Sequence, residues 1–406
     1  EDVRAPAAEE DDYDHHAAEA QADESVSAED DAAPTRSRPI DRWFAAPAPE
    51  RDPEEQRLRA AHAQDEPGAA IALARHLAAD PGRQGEATHV LLEAARRDPC
   101  DLDALRALRD LGDTARAAAH TARDLLALAG EGEASAGEAL DQWSRSVGRP
   151  EQVLGLPSPF QQALARLWSG ALPLFRRSLR DYGVLGTHRV ARLANRPFGR
   201  DLGHALAVFG GDTVLYAAPQ EESFRWAPTR PVAVLAGEII EADGRSRRYR
   251  VARALALAAP AHVLLVTRPP GELRVLFEAL FAAFGPVRDG EVASDAARFA
   301  ADLWRTVPSR DQAEIRRLLA EVDEPPTPEQ AIEAAHVRAA RLAFLADGHP
   351  FRAARGLLAD DPSLAGHEIG TPEGFRAACE ASAPLRGVLA LALSAPYLGA
   401  RAKLAE

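Results

Sequence analysis

A chain of 406 residues with 46% apolar side chains has enough material for a sizeable core, and its two cysteines, Cys100 and Cys379, exclude a disulfide-built scaffold. The net charge of −14 is unevenly placed: residues 1–33 hold thirteen acidic residues against one arginine, so the remaining body is nearly neutral and has no whole-surface field to steer basic partners. Lys403 is the one lysine, so the positive charge is arginine, a bias read first as genome composition.

Residues 1–53 read as an acidic, small-residue arm that cannot bury enough apolar surface to offset its ordering entropy. Within it, "PIDRWFAAPAP" places Ile40, Trp43 and Phe44 at helical spacing, and Trp43 and Phe44 are candidate anchors for a partner's groove or for the chain's own body. The chain contains no methionine, and its start at Glu1 is read as that of a processed or truncated product without a visible basic-then-apolar leader.

Residues 54–150 read as successive short helices. "EPGAAIALARHLAADPG" carries Ile71, Ala74, Leu77 and Ala78 and stops at Asp80-Pro81-Gly82. "GEATHVLLEAARRDPC" sets Ala87, Leu91, Ala94 and Pro99 in one register, which resembles the second helix of a tetratricopeptide (TPR) repeat. A degraded echo follows at Thr121, Leu125 and Leu128, with Glu133 where the repeat has proline. Such helix pairs must stack on neighbours to bury their apolar faces. A second domain is expected from about Pro150. Its lead-in, 155–184, spaces Phe160, Trp168, Phe175 and Tyr182 as a buried stripe kinked at Pro173.

The period then changes. "DTVLYAAP" (212–219) and "RPVAVLAGEII" (230–240) are short, β-branched and bounded by Gly and Pro, and read as two strands, the second central. A buried helix is expected over 249–262, "YRVARALALAAPAH". The five arginines of "GRSRRYRVAR" (244–253) read as its solvated start rather than as a nucleic-acid contact. Further helices are expected over 294–306, 309–321, 328–346, 349–359, 371–380 and 384–394, several opened by Thr-Pro. The apolar run 387–400 is too short and Pro-interrupted to span a bilayer.

A strand followed by a buried helix is where zinc peptidases carry His-Glu-x-x-His, two imidazoles one turn apart with a general base between them. No such motif occurs in this chain: the matching positions read Arg253-Ala254-Leu255-Ala256-Leu257. The order from about 150 to 360 nevertheless resembles the M48-type zincin metallopeptidases, and more closely their degenerate relatives fused to helical repeats. "HVRAARLAFLADGHPFRAARGLL" (336–358) falls where that family has its later ligand-bearing helix. The resemblance implies that Arg253 replaces the first ligand, Ala254 the base, Leu257 the second ligand and His336 the third, with Ala340 for the acid that follows. A three-residue slip puts Glu333 at the third position instead.

Ala254 and Leu257 can neither bind zinc nor accept a proton, so the inherited site is expected to be filled in as core. The remaining His residues, including His15, His16, His204, His349 and His367, show no i, i+4 pair, and no phosphate-binding glycine loop or nucleophile elbow is present. The expected fold is mostly α: a TPR-like helical segment, then an α+β domain with few short strands resembling a degenerate zincin. The expected function is a non-catalytic interaction or scaffold module in a reducing, cytoplasmic setting. Its partners are expected to be other proteins, with no cofactor, no metal, no nucleic acid and no membrane span. The rival is a divergent metal-dependent hydrolase with unrecognised ligands.

Overall fold

Proline steps and short polar caps cut this chain into many brief helices. Asp52 accepts from the Glu54 amide, Asp101 from the Asp103 and Ala104 amides, and Thr371 from the Gly374 amide. Ser158 and Thr327 form full capping boxes with Gln161 and Gln330. In each of these except the Asp101 helix, proline occupies the first helical turn, where its missing N–H costs nothing.

In a computed structural model the described residues are 52–134, 150–190, 197–209, 213–218, 221–237, 244, 246–286 and 292–405. Trp43, Phe44 and the rest of the acidic arm up to residue 51 lie outside them, while Asp52 and Pro53, expected in the arm, cap and open the first helix. Asp52–Glu406 form one compact unit. Its first five helices are α1 (Pro53–Ala63), α2 (Ala69–Ala78), α3 (Gln84–Arg97), α4 (Leu102–Asp110) and α5 (Arg116–Leu128). Each packs on the next in the chain. Ala87 and Leu91 of α3 and Leu125 and Leu128 of α5 are buried, while Ala94, expected in the same register, is half-buried.

Then come α6 (Pro150–Leu154), α7 (Pro159–Gly170), α8 (Leu172–Phe175) and α9 (Pro197–Phe209). The expected single kinked helix over 155–184 is in fact two α-helices and a 3-10 turn at Leu179–Tyr182: the chain breaks at Ala171, and Pro173 sits in the first turn of α8 rather than kinking a continuous helix. Phe160, Trp168 and Phe175 of its stripe are buried.

The strands are β1 (Val214–Ala217), β2 (Phe224–Ala227) and β3 (Ala233–Ala236). The expected spans 212–219 and 230–240 contain β1 and β3. The third strand, "FRWA", was not expected. β3 is central and buried along its whole length. It pairs parallel with β1 (Val214 opposite Ala233) and antiparallel with β2 (Phe224 opposite Ala236).

The remaining helices are α10 (Arg247–Leu257), α11 (Val263–Thr267), α12 (Pro270–Phe284), α13 (Ser294–Thr306), α14 (Ser309–Ala320), α15 (Pro328–Asp347), α16 (Pro350–Asp360), α17 (Pro372–Ala381), α18 (Ala383–Ala392) and α19 (Ala395–Ala405). The described residues are thus mostly helical, with one small sheet of three short strands. α10 is its axis: α9, α15 and α16 pack around it, and α15 has the most extensive contact. The C-terminal helices return to the beginning of the unit, where α16 and α19 meet α5 and α18 meets α3.

Candidate functional site

Helix α10 carries four arginines in eleven residues, yet nine of the eleven are buried. A helix of that composition can sit in a core only if each charge is met from outside. Arg247 donates to Asp201 on α9 at 2.7 Å, and Arg248 lies 3.6 Å from the same carboxylate. Arg250 makes a two-pronged bond to Asp360 on α16, at 3.0 and 2.6 Å. Arg253 Nη2 donates to His336 Nδ1 on α15 at 2.8 Å. The expected solvated arginine cluster is therefore corrected: Arg250 and Arg253 are only 6% and 4% exposed and point inward. The Asp360 carboxylate on another helix, unreadable from the local sequence, makes the burial of Arg250 tolerable, whereas Arg253 meets an imidazole rather than a carboxylate.

The four positions singled out by the zincin resemblance are brought together. Arg253 and His336 touch, Ala254 is buried, and Leu257 is fully buried among Ala256, Ala339, Phe209, Trp226 and Leu342. The Trp226 indole N–H reaches from β2 to the Ala254 carbonyl at 2.8 Å, so the backbone beside the base position is bonded to the sheet. Glu333, the alternative third position, is exposed.

The electrostatics follow from these contacts. Arginine only donates, so the bonded Nδ1 of His336 must be the acceptor and its ring is neutral. Burial first, and then the Arg253 charge, hold the His336 pKa down at about 4. A second imidazole, His262, lies close enough to add to that depression. His262 Nδ1 is 2.9 Å from the Ala256 carbonyl, which can only accept, so Nδ1 carries the proton. Burial lowers the His262 pKa to about 4, and among the described residues its Nε2 has no hydrogen-bond partner. Arg253 Nε and the Tyr249 hydroxyl likewise have none among the described residues, and burial raises the Tyr249 pKa. Arg253 and the neutral His336 ring thus meet between α10 and α15, while the Tyr249 ring packs against α16 and His262 bonds back to the end of α10. A guanidinium cannot bind a metal cation, and neither alanine nor leucine can act as a base. Among the described residues no group of three or more His, Cys, Asp or Glu is placed to hold a metal ion.

Three features escaped sequence reasoning. Asp347 closes α15 fully buried, its pKa raised by that burial, with Arg352 at 3.2 Å. Cys100 and Cys379 are both buried, and the Cys100 side chain lies within hydrogen-bonding reach of the Cys379 thiol, 279 positions away in the chain. A cavity of about 470 Å³ lies at the C-terminal end of α10. None of them repeats at a helical or strand period, so no local pattern announces them.

No single helix among the described residues is long and apolar enough to cross a membrane. One pair, Ala383–Ala392 with Ala395–Lys403, has the combined length and composition but bends by 53° at its break. Compared with known proteins, the chain matches no family model, no curated protein and no solved structure.

Proposed function

We propose that this chain is a non-catalytic protein-interaction module: TPR-like helices and an acidic arm that engage other proteins, joined to a pseudo-peptidase-like core. The observation that carries the reading is the Arg253–His336 bond. It joins α10 and α15 at the two positions where the zincin resemblance puts the first and third metal ligands. A metal in such a site is a cation that ties two helices together through their side chains. Here a guanidinium supplies the positive charge and the tie from within the chain. Ala254 and Leu257 supply packing in place of a base and a ligand. Trp43 and Phe44 remain the proposed anchors by which the arm engages a partner.

Metal content and peptide hydrolysis test this together. Purified protein is expected to hold no stoichiometric zinc and to leave a casein substrate uncut. The triple variant R253H/A254E/L257H is expected to unfold at lower temperature without gaining activity, because Glu at 254 is then buried without a partner charge. Stoichiometric zinc in the wild type, lost on chelation together with a peptidase activity, would overturn the proposal in favour of a divergent hydrolase.

A further inference from the structure

The cavity at the end of α10 is independent of the Arg253–His336 bond, since neither residue lines it. Its volume of about 470 Å³ falls within the range of small-molecule sites, roughly 300–1,000 Å³. Its apolar lining includes Trp168, Leu172, Phe209, Leu255 and Leu342. Its charged lining is weighted toward positive charge, with Arg230 and Arg338 against Glu151. Arg338 is partly buried on α15. Its guanidinium donates to the carbonyls of Gly155 at 2.8 Å and Leu156 at 3.4 Å. Among the described residues no carboxylate comes within ion-pair distance of Arg338 or Arg230. Glu151 acts on Arg338 only through space, and burial lowers the Arg338 pKa. A guanidinium stripped of part of its water, with carbonyls as partners, still has donors and charge to offer an anion. Beside an apolar wall, that combination selects a molecule with one anionic end.

We propose that this cavity binds a small carboxylic acid with an apolar body, its carboxylate received by Arg338 and its chain lying along Trp168, Leu172 and Leu342. The apolar wall alone would take a neutral chain equally well, and Glu151 alone would favour a cation, so the three cases separate by head group.

Isothermal titration of the full chain with decanoate, decan-1-ol and decyltrimethylammonium, each below its aggregation threshold, makes the comparison. Decanoate is expected to bind at one site at least tenfold more tightly than the alcohol, and the ammonium compound more weakly than either. Arg338→Gln is expected to bring decanoate down to the affinity of the alcohol, while Arg338→Lys keeps part of the preference. Ala256→Phe, which fills the cavity, is expected to remove both, with circular dichroism reporting that each variant is folded. Equal affinities for acid and alcohol in the wild type would overturn the proposal without recourse to any variant. So would the absence of binding by all three compounds, or undiminished decanoate binding to folded Arg338→Gln.

Discussion

A guanidinium that donates to an imidazole holds that imidazole neutral, because protonation would remove the accepting lone pair and set two cations face to face. His336 stands in this position, and burial adds to the effect. His262 reaches the same state chiefly by burial, with the Arg338 charge adding to it, against the opposing pull of its own bond to the Ala256 carbonyl. Both pKa values lie at about 4, against an ordinary value of 6.5. In the unfolded chain each ring takes up a proton near its ordinary value, while in the folded chain it does so only near 4. Between these values the unfolded state binds more protons, so stability is full at neutral pH and falls as pH drops through that window. Each ring contributes at most roughly 3 kcal/mol to the fall. Urea unfolding at pH 7 and at pH 4.5 measures it. His336→Gln is expected to lose less stability than the wild type between these two conditions. An equal loss in both proteins would mean that proton exclusion at His336 contributes nothing.

At the scale of elements, α10 is held by close approach on two sides. On α16, Gly356 faces the Tyr249 ring so closely that an added Cβ would lie 2.5 Å from Cδ1 and 3.2 Å from Arg250 Cγ. Tyr249 is fully buried, so its ring has little room to yield. On the α15 side, Leu257 belongs to one buried cluster with Ala339. Gly356→Ala is therefore expected to overpack the contact and cost about 1–3 kcal/mol. Leu257→Ala is expected to leave a void and cost about 2–5 kcal/mol. Chemical denaturation of the two variants checks both, and an unchanged midpoint for either would mean that its contact is slack. Much of this level was legible in the sequence. The expected helices 294–306, 309–321, 328–346 and 349–359 correspond to α13, α14, α15 and α16 within a residue at each end. Capping residues and apolar periodicity are local signals and were sufficient there. β2 was missed because "FRWA" interleaves a charge with aromatics over four residues, too short a run for alternation to register. At the site, the sequence pattern put Arg253 and His336 on two helices, and their side chains touch. The inward turn of the arginines could not be read from pattern, because Asp201 and Asp360 lie on helices whose approach no local period encodes.

At the scale of the whole molecule, the ends of the described unit are tied together by polar contacts within the core. Arg401 on α19 donates to Asp124 on α5 at 2.7 Å and to the Thr121 hydroxyl at 3.0 Å, and both partners are fully buried. Arg96 on α3 reaches the Leu393 carbonyl at 2.8 Å. The Gly370 amide donates to the Leu128 carbonyl at 2.8 Å. Gly130 permits that approach: it lies at φ +81°, and a Cβ there would stand 2.1 Å from the Gly370 oxygen. Folded α5 thus depends on helices more than two hundred positions later in the chain. Chains above about 150 residues commonly unfold in parts, so cooperative unfolding here would have to come from such long-range ties. Asp124→Asn removes one charge of a buried pair and leaves Arg401 to be compensated, a change expected to cost about 3–5 kcal/mol. The loss is expected to appear throughout the unit rather than in α5 alone. Hydrogen exchange read by mass spectrometry distinguishes the two outcomes. Protection in α3, α5, α10 and α19 should fall together in Asp124→Asn. Loss confined to 52–128, with α10 still protected as in the wild type, would show that the first five helices open as a separate unit and that the ties from α18 and α19 do not couple them to the rest.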